Sequence, residues 1–170
     1  MRKLLALLCV TLLTACGFQL RGSYALPFDS LYIALPETNI VHATLKRNIE
    51  ASSKTRVVYS AEDAEATLTV LADQQQKLIL SLSSTGRVRE FQLIRTFVFR
   101  VHDLQGRDFI PQSTVTIRRD LSYSDDQVLA KEAEEQLLWR DMQNDLVQQV
   151  MRRLSLAKPP KSASVDATPR

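Results

Sequence analysis

The sequence is poor in glycine and cysteine, which argues against glycine-rich binding loops and against disulfide bonds. Only four glycines occur among 170 residues, which argues against glycine-rich loops that hold nucleotide phosphates. Of the two cysteines, Cys9 lies in the apolar segment at the amino terminus, ahead of Cys16. A chain cut before Cys16 would keep one cysteine and could form no internal disulfide. The apolar core must therefore hold the fold without cross-links.

Strong net charge and a membrane-length apolar run are also missing. The sequence has 22 Lys and Arg against 19 Asp and Glu, and loss of Arg2 and Lys3 would leave 20 basic residues. This balance does not favour nucleic-acid binding. The apolar run at residues 4–13 is ten residues long, whereas a membrane-spanning helix needs roughly 20.

Motifs for catalysis or metal binding are absent as well. His42 and His102 are isolated from each other and from other metal-ligand residues, so no zinc spacing appears. We expect His42 to lie at the surface or boundary of the first helix. Neither a G-x-S-x-G elbow nor an H-E-x-x-H pair is found. The sequence therefore predicts no catalytic residue, no metal ligand and no cofactor.

Cys16 ends a segment that resembles a bacterial lipoprotein signal. Arg2 and Lys3 precede the apolar run, and Leu13-Thr14-Ala15 lead directly to the cysteine. This resemblance implies cleavage before Cys16, a diacylglycerol on its sulfur and an acyl chain on its amine. Several acyl chains anchor a protein stably. The residue after the cysteine is Gly17 and not Asp, which in this class of lipoprotein predicts transfer to the outer membrane. The alternative is an ordinary secretory signal with a chance cysteine.

Residues 29–156 are predicted to form one α+β domain, between a lipidated tether at 16–28 and a disordered tail at 157–170. Apolar periodicity indicates strands at residues 31–35, 56–59, 91–101 and 109–123, and one or two strands in 66–82 around the polar residues 73–76. It indicates helices that begin after Thr38 and run over 127–156. The order β-α-β-β-β-β-α predicts a two-layer sandwich, with a mostly antiparallel sheet and both helices on one face.

Basic residues near one predicted turn form the candidate binding site. Arg87 and Arg89 directly follow the turn at 84–86, and Lys131 lies at the start of the last helix. Such side chains at the end of a sheet can hold phosphate or carboxylate groups. The alternative for each is ordinary surface charge.

Short motifs in a fixed order resemble the LptE family of lipopolysaccharide-assembly lipoproteins. They are the lipoprotein signal, "GFQLRG" after Cys16, "GRVREFQL" from residue 86, "LAKEAEEQLLWRDM" from residue 129, and a Pro/Ser/Thr-rich tail. The resemblance covers nearly the whole mature chain. The match at "AKEAE" implies that Lys131 contacts lipopolysaccharide.

This resemblance implies a non-enzymatic protein that pairs one to one with the outer-membrane β-barrel LptD. It also implies a position largely inside the barrel lumen, a role in barrel folding, and binding of lipopolysaccharide on its way to the cell surface. Two alternatives are an outer-membrane lipoprotein that scaffolds another envelope complex, such as one for barrel assembly, and an envelope hydrolase.

Overall fold

A computed structural model describes residues 25–160, which form one five-stranded sheet and two helices. The strands are β1 (Ser30–Ala34), β2 (Arg56–Val58), β3 (Ala66–Leu82), β4 (Val88–His102) and β5 (Asp108–Ser122). The helices are α1 (Ile40–Ser52) and α2 (Val128–Ser155), and a 3-10 turn (Asp125–Gln127) precedes α2. The α+β class and the order of elements are as predicted. Cys16, most of the predicted tether and most of the predicted tail lie outside the described residues.

The sheet has the order β2-β1-β3-β4-β5 and is mixed. Two short parallel ladders join β2 to β1 and β1 to β3, and two long antiparallel ladders join β3 to β4 and β4 to β5. Most of the paired length is therefore antiparallel, as expected. The parallel part arises because α1 carries the chain back between β1 and β2, as a helical crossover does between parallel strands.

The residue that caps the first helix lies one position later than expected. Asn39, and not Thr38, caps α1, because its side-chain oxygen accepts a hydrogen bond of 2.8 Å from the Val41 N–H. An Asn side chain in this place satisfies one of the unpaired N–H groups of the first turn. His42 follows on the buried side of α1 and is only 5% exposed, so the expected surface or boundary position was wrong.

The polar residues 73–76 lie inside one continuous strand. β3 runs for 17 residues through them, with register shifts to β4 beside Leu71 and Leu80. The sequence left open whether one or two strands occupied this region. Polar side chains fit the middle of β3 because these residues are exposed there.

The core lies between the sheet and the two helices. One face of β4 supplies Leu93, Phe97, Phe99 and Val101, all fully buried. On α2, Met142, Leu146, Val150 and Leu154 recur every four residues and are fully buried in the same core, and Leu138 is partly buried against it. Burial of one such side chain stabilises the fold by about 1.5–3 kcal/mol.

A buried arginine, paired with a partly exposed aspartate, interrupts this apolar face. Arg95 is 3% exposed and donates two hydrogen bonds to the Asp73 carboxylate of β3, of 3.2 Å from Nε and 2.9 Å from Nη2. A bidentate arrangement satisfies a guanidinium well. It explains how a cation fits among the core residues of β4.

The opposite face of the sheet, here called the outer sheet face, is not covered by a helix. On β4 its side chains are half-buried and mixed in polarity: Gln92, Ile94, Thr96, Val98, Arg100 and His102. The neighbouring positions on β5 are mainly polar, as shown by Thr114, Thr116, Arg118 and Asp120. No helix within residues 25–160 is long and apolar enough to cross a membrane.

Candidate functional site

The turn between β3 and β4 presents Arg87 at one end of the sheet. The Ser83 N–H donates to the Arg87 carbonyl over 2.7 Å, and the Gly86 N–H donates to the Ser83 carbonyl over 3.0 Å. Gly86 has φ of +79°, a conformation that other residues rarely adopt. The Arg87 N–H also donates to the Ser83 hydroxyl over 3.0 Å. These hydrogen bonds fix the backbone of the turn up to Arg87, whose side chain is the first candidate cation.

The Arg87 side chain reaches the connection between β5 and α2. Its Nη1 lies 3.2 Å from Oδ2 of Asp125, in the 3-10 turn. The two side chains are 73% and 53% exposed. Exposed pairs of this kind contribute about 0–1 kcal/mol, so a phosphate group can replace the carboxylate at small cost.

Lys131 lies on the first turn of α2 and faces the sheet. Its Nζ donates to the Ser122 hydroxyl over 2.9 Å and to Glu134 Oε2 over 2.8 Å. The side chain is only 15% exposed. It lines a small cavity of about 130 Å³ together with Lys77, Phe91 and Tyr123, among others. An anion can reach this amine only if the side chain turns outward.

Arg89 is attached to the same region through its backbone. Its carbonyl accepts a hydrogen bond of 2.7 Å from the Tyr123 N–H, and the Tyr123 ring packs edge-on against Phe91 at 5.3 Å between centroids. The residue is exposed. Within residues 25–160, its guanidinium forms no hydrogen bond or ion pair with another side chain.

The three candidate residues thus come together at one end of the sheet, here called the basic end. Lys131, Arg89 and Arg87 contact Ser122, Tyr123 and Asp125 respectively, a stretch of four residues. The sequence placed Arg87 and Arg89 beside each other, but it did not indicate that residues 122–125 join them to Lys131.

Acidic side chains are interleaved with these cations. Asp125 and Glu134 already pair with Arg87 and Lys131, and nearby on α2 Glu135 holds Lys77 at 2.6 Å. The basic end therefore offers a few separate cationic groups and not a broad positive field. Such groups suit a ligand with discrete phosphates better than a long polyanion.

The groups with shifted pKa values lie elsewhere. A hydrogen bond to the Tyr59 hydroxyl is the main cause that raises the pKa of Lys46 on α1. Burial alone would raise the pKa of Asp103, but hydrogen bonds from Arg107 and from the Gln105 N–H outweigh it, so this pKa is lowered. Asp103 closes the turn between β4 and β5, with its carboxylate 2.6 Å from Arg107 Nε. Both groups serve local structure.

No cluster suited to a metal ion occurs in the part of the chain that the structure describes. His102, one of the two histidines, bonds to the Thr69 hydroxyl at 3.0 Å and to the Asp103 carbonyl at 2.8 Å. These contacts occupy both of its ring nitrogens.

Comparison with known proteins identifies the fold and the family together. The family model described as LptE, lipopolysaccharide-assembly, matches residues 28–154. The chain belongs to the LptE family. The match runs from just before β1 to the last turn of α2, so it includes all three residues of the basic end.

Relatives named LptE align with most of the length of this chain. An LPS-assembly lipoprotein LptE from Pectobacterium atrosepticum is 27% identical over 151 residues, which are 86% of this chain and 80% of the relative. One from Yersinia pestis is 29% identical over 151 residues, 86% of this chain and 72% of the relative.

Solved structures of lipoproteins show the same fold. Lipoprotein B from Nitrosomonas europaea has a TM-score of 0.71 and 39% identity, covering 82% of this chain and 90% of that one. A minor lipoprotein from Acinetobacter baumannii has a TM-score of 0.63 and 27% identity, covering 79% and 99%. The matched family and the relatives named above are thus those of lipopolysaccharide assembly.

Proposed function

We propose that this protein is a lipid-anchored partner of an LptD-like β-barrel in the outer membrane. In this proposal Cys16 carries the acyl chains and holds the domain at the periplasmic side. The domain enters the barrel lumen in a one-to-one complex, where it acts as a plug and helps the barrel to fold. The observation that carries the proposal is membership of the LptE family over residues 28–154.

The dimensions of the domain support a position inside a barrel. Five strands at a spacing of about 4.8 Å give a width of roughly 20–25 Å. β3 is about 55 Å long at roughly 3.3 Å per residue. An elongated body with this narrow cross-section fits end-on into a wide barrel, and large barrels are known to hold plugs.

The surface of the domain suits a wet barrel interior. Lumens of outer-membrane barrels are polar, and the outer sheet face presents Thr, Gln and charged side chains at most positions of β5. The exposed side of α2 carries Arg140, Asn144 and Arg152. Both layers can therefore face a polar wall without burial of unpaired charge.

We further propose that the basic end binds lipopolysaccharide, whose phosphates would meet Arg87, Arg89 and Lys131. The contacts rank these residues by availability. Arg89 is exposed without a side-chain partner among the described residues, and Arg87 holds only a weak exposed pair. Lys131 must first leave Ser122 and Glu134.

The test of partner choice is recovery of the tagged protein from outer membranes dissolved in mild detergent. The proposal expects one large β-barrel protein to be recovered with it, and depletion of the chain to remove lipopolysaccharide from the cell surface. Recovery of the lipoprotein alone would contradict the pairing. A general failure of barrel insertion upon depletion would indicate a scaffold of another envelope complex.

The test of ligand binding reverses two charges at the basic end. We expect Arg87→Glu with Lys131→Glu to lower lipopolysaccharide affinity about tenfold or more at low salt, because both attraction and charge-assisted hydrogen bonds are lost. Barrel pairing should persist, since its contacts are spread over a larger surface. The matched control is Lys54→Glu with Arg56→Glu, at the start of β2 and exposed. Equal affinity of the two variants would refute the assignment.

A further inference from the structure

One long edge of the sheet is left open beyond β1. β1 pairs with β3 from Ala66 to Thr69 and then ends, because Leu35 turns away and Pro36 has no N–H to continue a ladder. Among residues 25–160, no strand pairs with this side of β3 from residue 70 to residue 82. This segment, here called the free edge, is about 40 Å long.

The backbone of the free edge determines what can cover it. In a strand, alternate residues point their N–H and C=O groups toward the open side. Only another extended backbone matches that repeat with hydrogen bonds along its whole length. The complementary surface is therefore a β-strand and not a helix or a lipid chain.

Apolar side chains are concentrated on the free edge. Five large hydrophobic residues of β3 are each about half exposed, between 47% and 58% of their surface: Leu71, Leu78, Ile79, Leu80 and Leu82. Exposed apolar side chains in an open strand promote pairing with another chain. An added strand would cover those near its path.

The two charges that could discourage pairing are drawn toward the helix side. Lys77 Nζ lies 2.6 Å from Glu135 and 4.2 Å from the centre of the Phe91 ring. Asp73 is held by Arg95. A lysine in an edge strand usually blocks pairing because its charge would be buried beside the new strand. Here the intramolecular partners remove that obstacle.

The other long edge of the same sheet shows the contrast. β5 contains Pro111, and it exposes Arg118, Arg119 and Asp120 in succession. Proline and charges of this kind protect an edge against pairing. The sequence therefore protects β5, and leaves the regular part of β3 between the register shifts at Leu71 and Leu80 suited to receive a strand.

We propose that the free edge receives an extended segment of the barrel partner as an additional strand, in line with β1. The inference rests on the proposed pairing with a barrel. The wall strands of a closed barrel are all paired with one another, so the segment comes from a loop that folds into the lumen. About twelve residues fill the open length, with polar side chains opposite residues 74–76 and apolar side chains opposite residues 78–82.

Hydrogen exchange of backbone amides tests the inference on the full lipidated chain, alone and in the purified complex. In the chain alone, every second amide of residues 72–79, the regular stretch between the two register shifts, should exchange rapidly, because those amides face the open side. In the complex these same amides should slow by about 100-fold or more. The amides that face β4 should change little.

A pair of variants tests the same contact by recovery of the barrel. We expect Leu78→Lys with Leu80→Lys to lower the recovered barrel by about tenfold, because both charges would lie against the added strand. The matched control is Ile40→Lys with Leu104→Lys, two exposed apolar residues at the start of α1 and in the turn after β4, which should recover the barrel as the unmodified chain does.

The possible outcomes separate this inference from the proposed function. Barrel recovery with alternate protection of residues 72–79 supports both. Barrel recovery without that protection overturns the strand addition alone. Failure to recover any barrel overturns the proposed function and the inference with it. Protection already present in the chain alone would show that a second copy or the chain's own terminus covers the edge, and would also overturn the inference.

Discussion

In the Arg95–Asp73 pair, removal of Asp73 should lower the free energy of unfolding more than removal of Arg95. Asp73→Ala leaves the guanidinium in the core without its counter-charge, because Arg95 is 3% exposed. Arg95→Met removes the charge and keeps an unbranched side chain of similar length. The Asp73 side chain, 27% exposed, can then turn toward water.

The structure sets the expected magnitudes. Breaking a buried ion pair from one side costs about 3–5 kcal/mol, and partial access of water at the free edge lowers this for Asp73→Ala to about 2–3 kcal/mol. Arg95→Met should cost about 0–1 kcal/mol, because no buried charge remains. The double variant should resemble Arg95→Met, which gives a coupling energy of about 2 kcal/mol.

Urea unfolding of residues 17–170 measures all four proteins of this cycle. Trp139, the only tryptophan, packs against the core and reports unfolding by fluorescence. Circular dichroism at the same urea concentrations checks that the transition is two-state. If Arg95→Met destabilised the protein more than Asp73→Ala, the description of Arg95 as a buried charge that depends on Asp73 would be refuted.

Two further predictions concern the core and the acid response. Leu146→Ala, at a fully buried position of α2, should lower the free energy of unfolding by about 2–5 kcal/mol. Leu129 is 82% exposed on the same helix, and Leu129→Ala should change that free energy by less than about 0.5 kcal/mol. Equal effects in urea unfolding would contradict the assignment of the buried face of α2. The lowered pKa of Asp103 means that its ionised form stabilises the fold above its ordinary pKa of about 3.9, and that this stabilisation is lost as the pH falls through the lowered pKa. Unfolding measured between about pH 5 and pH 2 should therefore depend less on pH in Asp103→Asn, and an unchanged pH profile would show that Arg107 does not hold this carboxylate.

Periodicity was sufficient to predict the elements that pack on the core. The alternation of β4 and the four-residue spacing on α2 arise because each element buries one face, so the pattern is present in the residues themselves. The order of the elements then indicated the two-layer class. The chosen cap of α1 was wrong by one residue, since both Thr38 and Asn39 are suitable capping residues.

Long-range contacts could not be predicted in the same way. Arg95 interrupts an apolar face, and only its pairing with Asp73 across the β3–β4 ladder explains its burial. The continuity of β3 through residues 73–76 depends on their exposure beyond β1. The position of Lys131 at the same end of the sheet as Arg87 depends on the path of residues 122–125. Each of these features follows from tertiary packing and not from local preference.

Native mass spectrometry of the protein purified from outer membranes in mild detergent reads the lipid anchor and the barrel pairing in one measurement. We expect one chain that begins at a triacylated Cys16, bound to one β-barrel protein. An unmodified chain that keeps residues 1–15, or an acylated chain with no barrel bound, would contradict it.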